Sequence, residues 1–245
     1  MEEQPSNSKT KPFKRYFFEF VMVFLAVTAG FFSENIRENF SEYGREKEYI
    51  RLASEDIRQD IQTLDSIIRA RKKKDMMLDS LLLLLNSDQI KEKGHKIYYY
   101  ARWSPRTYRF FSNDRTLIQL RNSGDWRLIR KREVSNALQV YDEQIRTISQ
   151  YIEHREESLV IILYSSLNKL FKNSVFNDMV DGLSFKQPTG NPALLTYDPQ
   201  AINEFANQIH FLKNANLYFI KNSTTLLKYA KNTLSLIEKD YEILK

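Results

Sequence analysis

A chain of 245 residues that is 42% hydrophobic and 28% charged has enough apolar side chains for a full core and lies far from the polar, highly charged balance of disordered polypeptides. Six glycines and six prolines are too few for an all-β fold, which needs turn residues about every 8 to 12 positions. The lack of cysteine excludes disulfides, thiolate metal sites and a cysteine nucleophile, and the net charge of +6 admits anionic partners without selecting one.

From Tyr16 to Phe32 the sequence reads YFFEFVMVFLAVTAGFF, with Glu19 as its one charge. As a helix this run covers roughly 26 Å at about 1.5 Å per residue, close to the ~30 Å hydrocarbon core of a bilayer. Phe13 and the aliphatic stems of Lys14 and Arg15 supply the remainder. The expected organisation is a short cytoplasmic tail over residues 1–12, a transmembrane anchor over 13–33 and a helical extramembrane domain over 34–245. A cleaved signal peptide is the rival, with Lys9 to Arg15 as its basic start and Val27-Thr28-Ala29 before Gly30 as its cleavage site. The helical pattern that runs on through SENIRENFSEYGREKEYI favours an uncleaved anchor. Lys9, Lys11, Lys14 and Arg15 precede the run, whereas Arg37 alone follows between Glu34 and Gly44. The positive-inside rule then keeps the N-terminus in the cytoplasm and, at a bacterial inner membrane, places the large domain in the periplasm. Glu19 sits one helical turn from Arg15, which predicts a local ion pair near the interface. The alternative is that Glu19 bonds a partner helix, brought close by the small residues Ala26 and Gly30.

Beyond the anchor the pattern is all-α. Ile50, Ile57, Leu64, Leu78 and Leu85 recur at heptad spacing, which predicts a coiled-coil-like helix over about 45–86. Arg71 stands where the next apolar residue is due, and RARKKKD around it reads as a solvated face. Residues 87–112 lose the periodicity and are expected to form a loop, with one extended piece from Ile97 to Trp103. A short helix begins near Asn113 or Asp114, either of which can cap it, and stops before Gly124, suited to a left-handed C-terminal turn with Ser123. A third long helix is expected over about 131–172, from Val134, Leu138, Tyr141, Ile145, Ile148, Ile152, Leu159 and Ile162. Glycines and prolines make 177–198 the main loop. Asp198-Pro199 then opens a last helix over about 199–243, with Asn216 and Ser223 on its apolar face.

Two blocks, EFVMVFLAVTAGFFSENIRENF with the following KEYIRLASEDIRQDI, and TLIQLRNSGDWRLIRKREVSNALQVYDEQI, together resemble an uncharacterised single-pass membrane family of Gram-negative bacteria. Leu120, Ser123, Gly124 and Ile129 carry its Leu-x-x-Ser-Gly turn. Thr28, Ala29 and Phe32 depart from its more aliphatic span. The resemblance implies anchoring and helical architecture, with no assigned chemistry.

The sequence contains no Walker lysine loop, G-x-G-x-x-G, G-x-S-x-G or H-E-x-x-H. His95, His154 and His210 lack the spacing of metal ligands, so no metal, cofactor or catalytic residue is assigned. The strongest binding candidate is the stretch Tyr98 to Arg115, where Arg102, Arg106, Arg109 and Arg115 alternate with aromatics that include Trp103 and Tyr108. Such a stretch can stack on and neutralise an anionic partner; alternatively, the aromatics plug the end of the bundle while the arginines face water. The expected role is a membrane-anchored scaffold or accessory subunit that contacts the bilayer and a protein partner or its own copy, with no nucleic acid. The alternative is a periplasmic ligand-sensing bundle acting through a partner membrane protein.

Overall fold

The computed structural model describes residues 12–149 and 153–241. The chain divides into two compact units, Met1–Tyr49 and Ile50–Lys245. The expected 1–12 tail lies almost wholly outside the described residues.

Helix α1, Pro12–Leu85, contributes to both units. In the first unit its N-terminal part is the one described helix long and apolar enough to cross a membrane, and none of that apolar window is buried within the chain. Phe18, Phe20, Val23, Leu25 and Phe31 all stand exposed. Arg15 Nε donates to Glu19 Oε1 at 3.1 Å, one turn apart and open to the surroundings, as the local pairing predicts. Apart from its chain neighbours and the helix's own backbone, nothing lies within 4 Å of where a Cβ on Gly30 would sit.

In the second unit, three runs of helix lie side by side. The Ile50–Leu85 part of α1 is joined by α4 (Arg132–Thr147) with α5 (Glu153–Leu170), and by α7 (Pro199–Tyr241). Ion pairs set the register: Arg58 with Glu238, Asp65 with Lys231 and Asp79 with Lys213 make α1 and α7 antiparallel. The hydroxyl of Thr233 donates to Ala137 O and Lys169 pairs with Glu204, so α4 and α5 also run antiparallel to α7. Where a single helix over 131–172 is expected, the described residues form two, α4 and α5; residues 150–152 between them, with the expected apolar position Ile152, fall outside the described residues. The heptad positions Ile50, Ile57, Leu64, Leu78 and Leu85 are buried together with Val134, Leu138, Leu163, Phe205, Leu212, Phe219 and Leu226. The seam that looks like a coiled-coil stalk is the core of its own chain.

Because α1 and α4 are parallel neighbours, the chain must return along α1 before α4 begins. It does so through a 3-10 turn at Asp88–Lys91, helix α2 (Gly94–Trp103), an irregular strap over 104–114, helix α3 (Arg115–Ser123) and a 3-10 turn at Asp125–Leu128. The expected loop over 87–112 is therefore corrected, since Ile97 to Trp103 is helical and not extended. The reason is burial at helical spacing, with Ile97, Tyr98 and Ala101 on one buried face. The strap touches α1 at Arg71 through Tyr108 and at Asp60 through Asn113. Arg71 and Asp60 are separated by about 17 Å of helix, and Tyr108 to Asn113 covers the same distance only as extended chain at about 3.3 Å per residue.

Gly124 takes φ 71° and its N–H bonds Leu120 O, the left-handed termination its position predicts. Asp198 Oδ2 accepts from the N–H of Ala201 at 2.9 Å, capping α7 as expected. By contrast, neither expected residue caps α3: Asp114 occupies the cap position without a side-chain bond, and the Asn113 side chain turns away to Asp60. Within the expected 177–198 loop lies a two-stranded hairpin, β1 (Val180–Asp181) with β2 (Ser184–Phe185), preceded by α6 (Asn173–Asp178).

Candidate functional site

Arg71, taken from its sequence context as solvated, is fully buried, and Lys74 is 4% exposed. Arg69, Lys72 and Lys73 of the same run do face solvent. Position 71 continues the heptad that runs through Ile50, Ile57, Leu64, Leu78 and Leu85, so its Cβ points into the core whatever its side chain carries. A guanidinium tolerates this only if its donors are satisfied. Nη1 and Nη2 bind Glu156 Oε1 and Oε2 of α5 at 3.0 and 2.8 Å, a bidentate pair. Nε and Nη2 donate to Tyr108 O of the strap at 2.9 and 2.5 Å. Nη1 also reaches Asn216 Oδ1 of α7 at 3.3 Å, and Asn216 Nδ2 returns a bond to Arg71 O at 3.1 Å. The Phe219 ring closes the remaining face, 3.5 Å from Arg71 Cζ to the centroid. One side chain thus ties α1, α5, α7 and the strap.

Lys74 Nζ donates to the same Glu156 Oε1 at 3.0 Å. Burial raises the cost of charge on Glu156, but Lys74 and Arg71 outweigh it and hold the carboxyl below its usual range. Burial also lowers Lys74, more than Glu156 restores. Two cations therefore share one carboxylate in the core. Beside Lys74 lies a cavity of ≈ 10 Å³ bordered by Trp103, Ser104 and Tyr108, about the size of a water.

Farther along the strap, Asp60 is the second anchor. It accepts from the Asn113 N–H and side-chain amide at 2.8 and 2.9 Å and from the Tyr141 hydroxyl at 2.8 Å. Desolvation raises the Asp60 carboxyl above its ordinary value despite these three donors.

The aromatic and arginine residues singled out from sequence divide among three places. Trp103 and Arg102 lie at the end of α2 against the hairpin, where Trp103 meets Phe185 edge-on and the Arg102 guanidinium sits over Phe185 and Phe176. Arg106 covers the Trp103 ring and donates to Leu183 O. Tyr98 is buried between Phe171 and Phe176. Tyr108 contributes its backbone carbonyl to Arg71, and Arg109 pairs with Glu157 on α5. Arg115 is exposed at the start of α3. The aromatics thus plug this end of the bundle. Arg102, Arg106 and Arg109 bind their own chain and do not converge on a shared opening.

Sequence reasoning missed Glu156 and Lys74. The available signal was the heptad phase of Arg71, which demanded a buried carboxylate somewhere in the chain without saying where. Ser123 and Gly124 form the expected turn; the Ser123 hydroxyl donates back to Gln119 O. No group of three or more His, Cys, Asp or Glu residues able to hold a metal occurs among the described residues. No family model, curated protein or solved structure matches the chain.

Proposed function

We propose that this chain is a membrane-anchored helical scaffold, an accessory or interaction subunit of a bacterial envelope complex that performs no catalysis. The observation that carries the reading is the contrast between its two apolar surfaces. The heptad seam of α1 is consumed inside its own bundle, whereas the apolar window near the N-terminus is wholly unburied. Contacts with lipid and with another helix then fall to the span, where Ala26 and Gly30 admit close approach. The basic N-terminal flank supports a cytoplasmic N-terminus and a periplasmic bundle. Kinship with the uncharacterised single-pass family belongs to the same reading.

The test is co-purification of the full chain from native membranes followed by mass spectrometry. A reproducible membrane-protein partner is the expected result. Recovery of the chain alone, with a monomeric mass in detergent, overturns the scaffold role. Orientation is checked separately by an alkaline phosphatase fusion after Lys245, expected to be active; an inactive fusion at normal expression reverses the topology.

A further inference from the structure

A groove of ≈ 600 Å³ lies between α4 and the α3 turn, bordered by Trp126, Asn136, Gln139, Asp142 and Arg146 among others. We infer that this groove binds a neutral oligosaccharide, a function beyond the proposed scaffold role and independent of it.

The groove is built by the Ser123-Gly124 turn. Gly124, at φ 71°, ends α3 and starts the 3-10 turn Asp125–Leu128, which buries Leu128 and leaves Trp126 half-buried at the groove wall. The floor is one face of α4: Asn136, Gln139 with Val140, Glu143 and Arg146 lie on successive turns and extend over about 15 Å. That is the reach of several linked rings. Val140, 38% exposed, adds an apolar strip among polar neighbours.

The chemistry of the lining selects the ligand class. An indole offers a flat apolar face to the C–H side of a pyranose and a polar edge to its hydroxyls. Asn136 and Gln139 bring amides that can both donate and accept, matching hydroxyls that do the same. Arg121 and Arg146 both reach Asp142, and Glu143 lines the same groove, so two cations and two carboxylates balance, which disfavours a strongly anionic or cationic ligand. Arg121 Nη1 holds both Asp142 oxygens at 2.7 Å, and Arg146 Nε approaches the same carboxylate at 3.4 Å. The polar wall is therefore arranged before a ligand arrives, which reduces the ordering cost of binding. Asp142 and Glu143 are consecutive on a helix and do not face each other, so the groove suits retention of a glycan and not its hydrolysis. The volume lies within the range of about 300–1,000 Å³ typical of ligand sites.

The experiment uses the full chain carrying Trp103→Phe, so that Trp126 is its only tryptophan, in a detergent without a sugar headgroup. Maltotriose, cellotriose and N,N′,N″-triacetylchitotriose are titrated to about 10 mM, beyond the millimolar dissociation constants of weak sites. At least one is expected to change the Trp126 emission saturably. Asn136→Ala with Gln139→Ala, on an exposed helix face where alanine favours helix, is expected to weaken that binding at least tenfold with the melting temperature unchanged. Calorimetry on Trp126→Ala, in the natural Trp103 background, is expected to show the same loss. No saturable change with any of the three sugars overturns the proposal, as does equal affinity in the Asn136/Gln139 variant. Neither result bears on whether a membrane partner co-purifies.

Discussion

Arg71 and Glu156 stand 85 residues apart in sequence and meet side-on in the core, with 0% and 4% of their side chains exposed. A buried pair of this kind is a weak source of net stability, because desolvating both charges offsets most of their attraction. Removing one member is another matter. Glu156→Gln leaves Arg71 and Lys74 buried without a counter-charge, and is expected to cost about 3–5 kcal/mol. At about 2–4 °C per kcal/mol for a domain of this size, that is a fall on the order of 10 °C in the melting temperature of the full chain in detergent. Arg155→Ala, on the adjacent exposed position, serves as control and is expected to shift stability by less than about 0.5 kcal/mol.

The two buried carboxylates predict opposite pH responses. The Glu156 carboxyl is held below its ordinary value, so its contribution is present above the unfolded-state pKa and is lost as pH falls through the depressed folded-state value. Asp60 is raised by burial, so its contribution is full below the unfolded-state pKa and is lost as pH rises through the raised value. Melting temperatures measured across the acid range are expected to lose the first dependence in Glu156→Gln and the second in Asp60→Asn. A curve of unchanged shape in either variant would remove that carboxylate from the account.

Gly124 carries a positive φ with no atom within 4 Å of an added Cβ. Its cost of substitution is therefore a backbone cost alone. Gly124→Val is expected to destabilise by more than about 1 kcal/mol, whereas Gly124→Asn, which visits the left-handed region more readily, is expected to recover much of that loss. Thermal melts of the two variants separate a conformational requirement from simple crowding. Equal melting for glycine and valine would refute the turn.

Gly30 is open on all sides within its own chain, so Gly30→Leu is expected to leave the fold intact. If the span packs against another helix at Ala26 and Gly30, the same change should lower the mass of the detergent-solubilised complex, measured by light scattering with the detergent contribution subtracted. An identical mass for both proteins would exclude this face as the contact.

The elements whose information is local were legible in the sequence. An apolar run interrupted by Glu19 alone marks the membrane-compatible window, heptad spacing marks the core face of α1, Gly124 marks a left-handed turn, and Asp198-Pro199 marks the start of α7. Each rests on the chain's immediate geometry, which a few neighbouring residues decide. Helix α2 escaped because only Gly94, Ile97, Tyr98 and Ala101 of its ten residues are buried, and its aromatic partners Phe171 and Phe176 lie more than 70 residues away by the Tyr98 contacts. The groove at Trp126 was equally invisible, since its wall and floor come from different helices. Arg71 shows the division most clearly: its heptad phase placed it inward, but whether an arginine can remain there depends on Glu156, Asn216 and Tyr108. Periodicity specifies the direction of a side chain; only the tertiary structure determines which groups replace the water that a buried charge gives up.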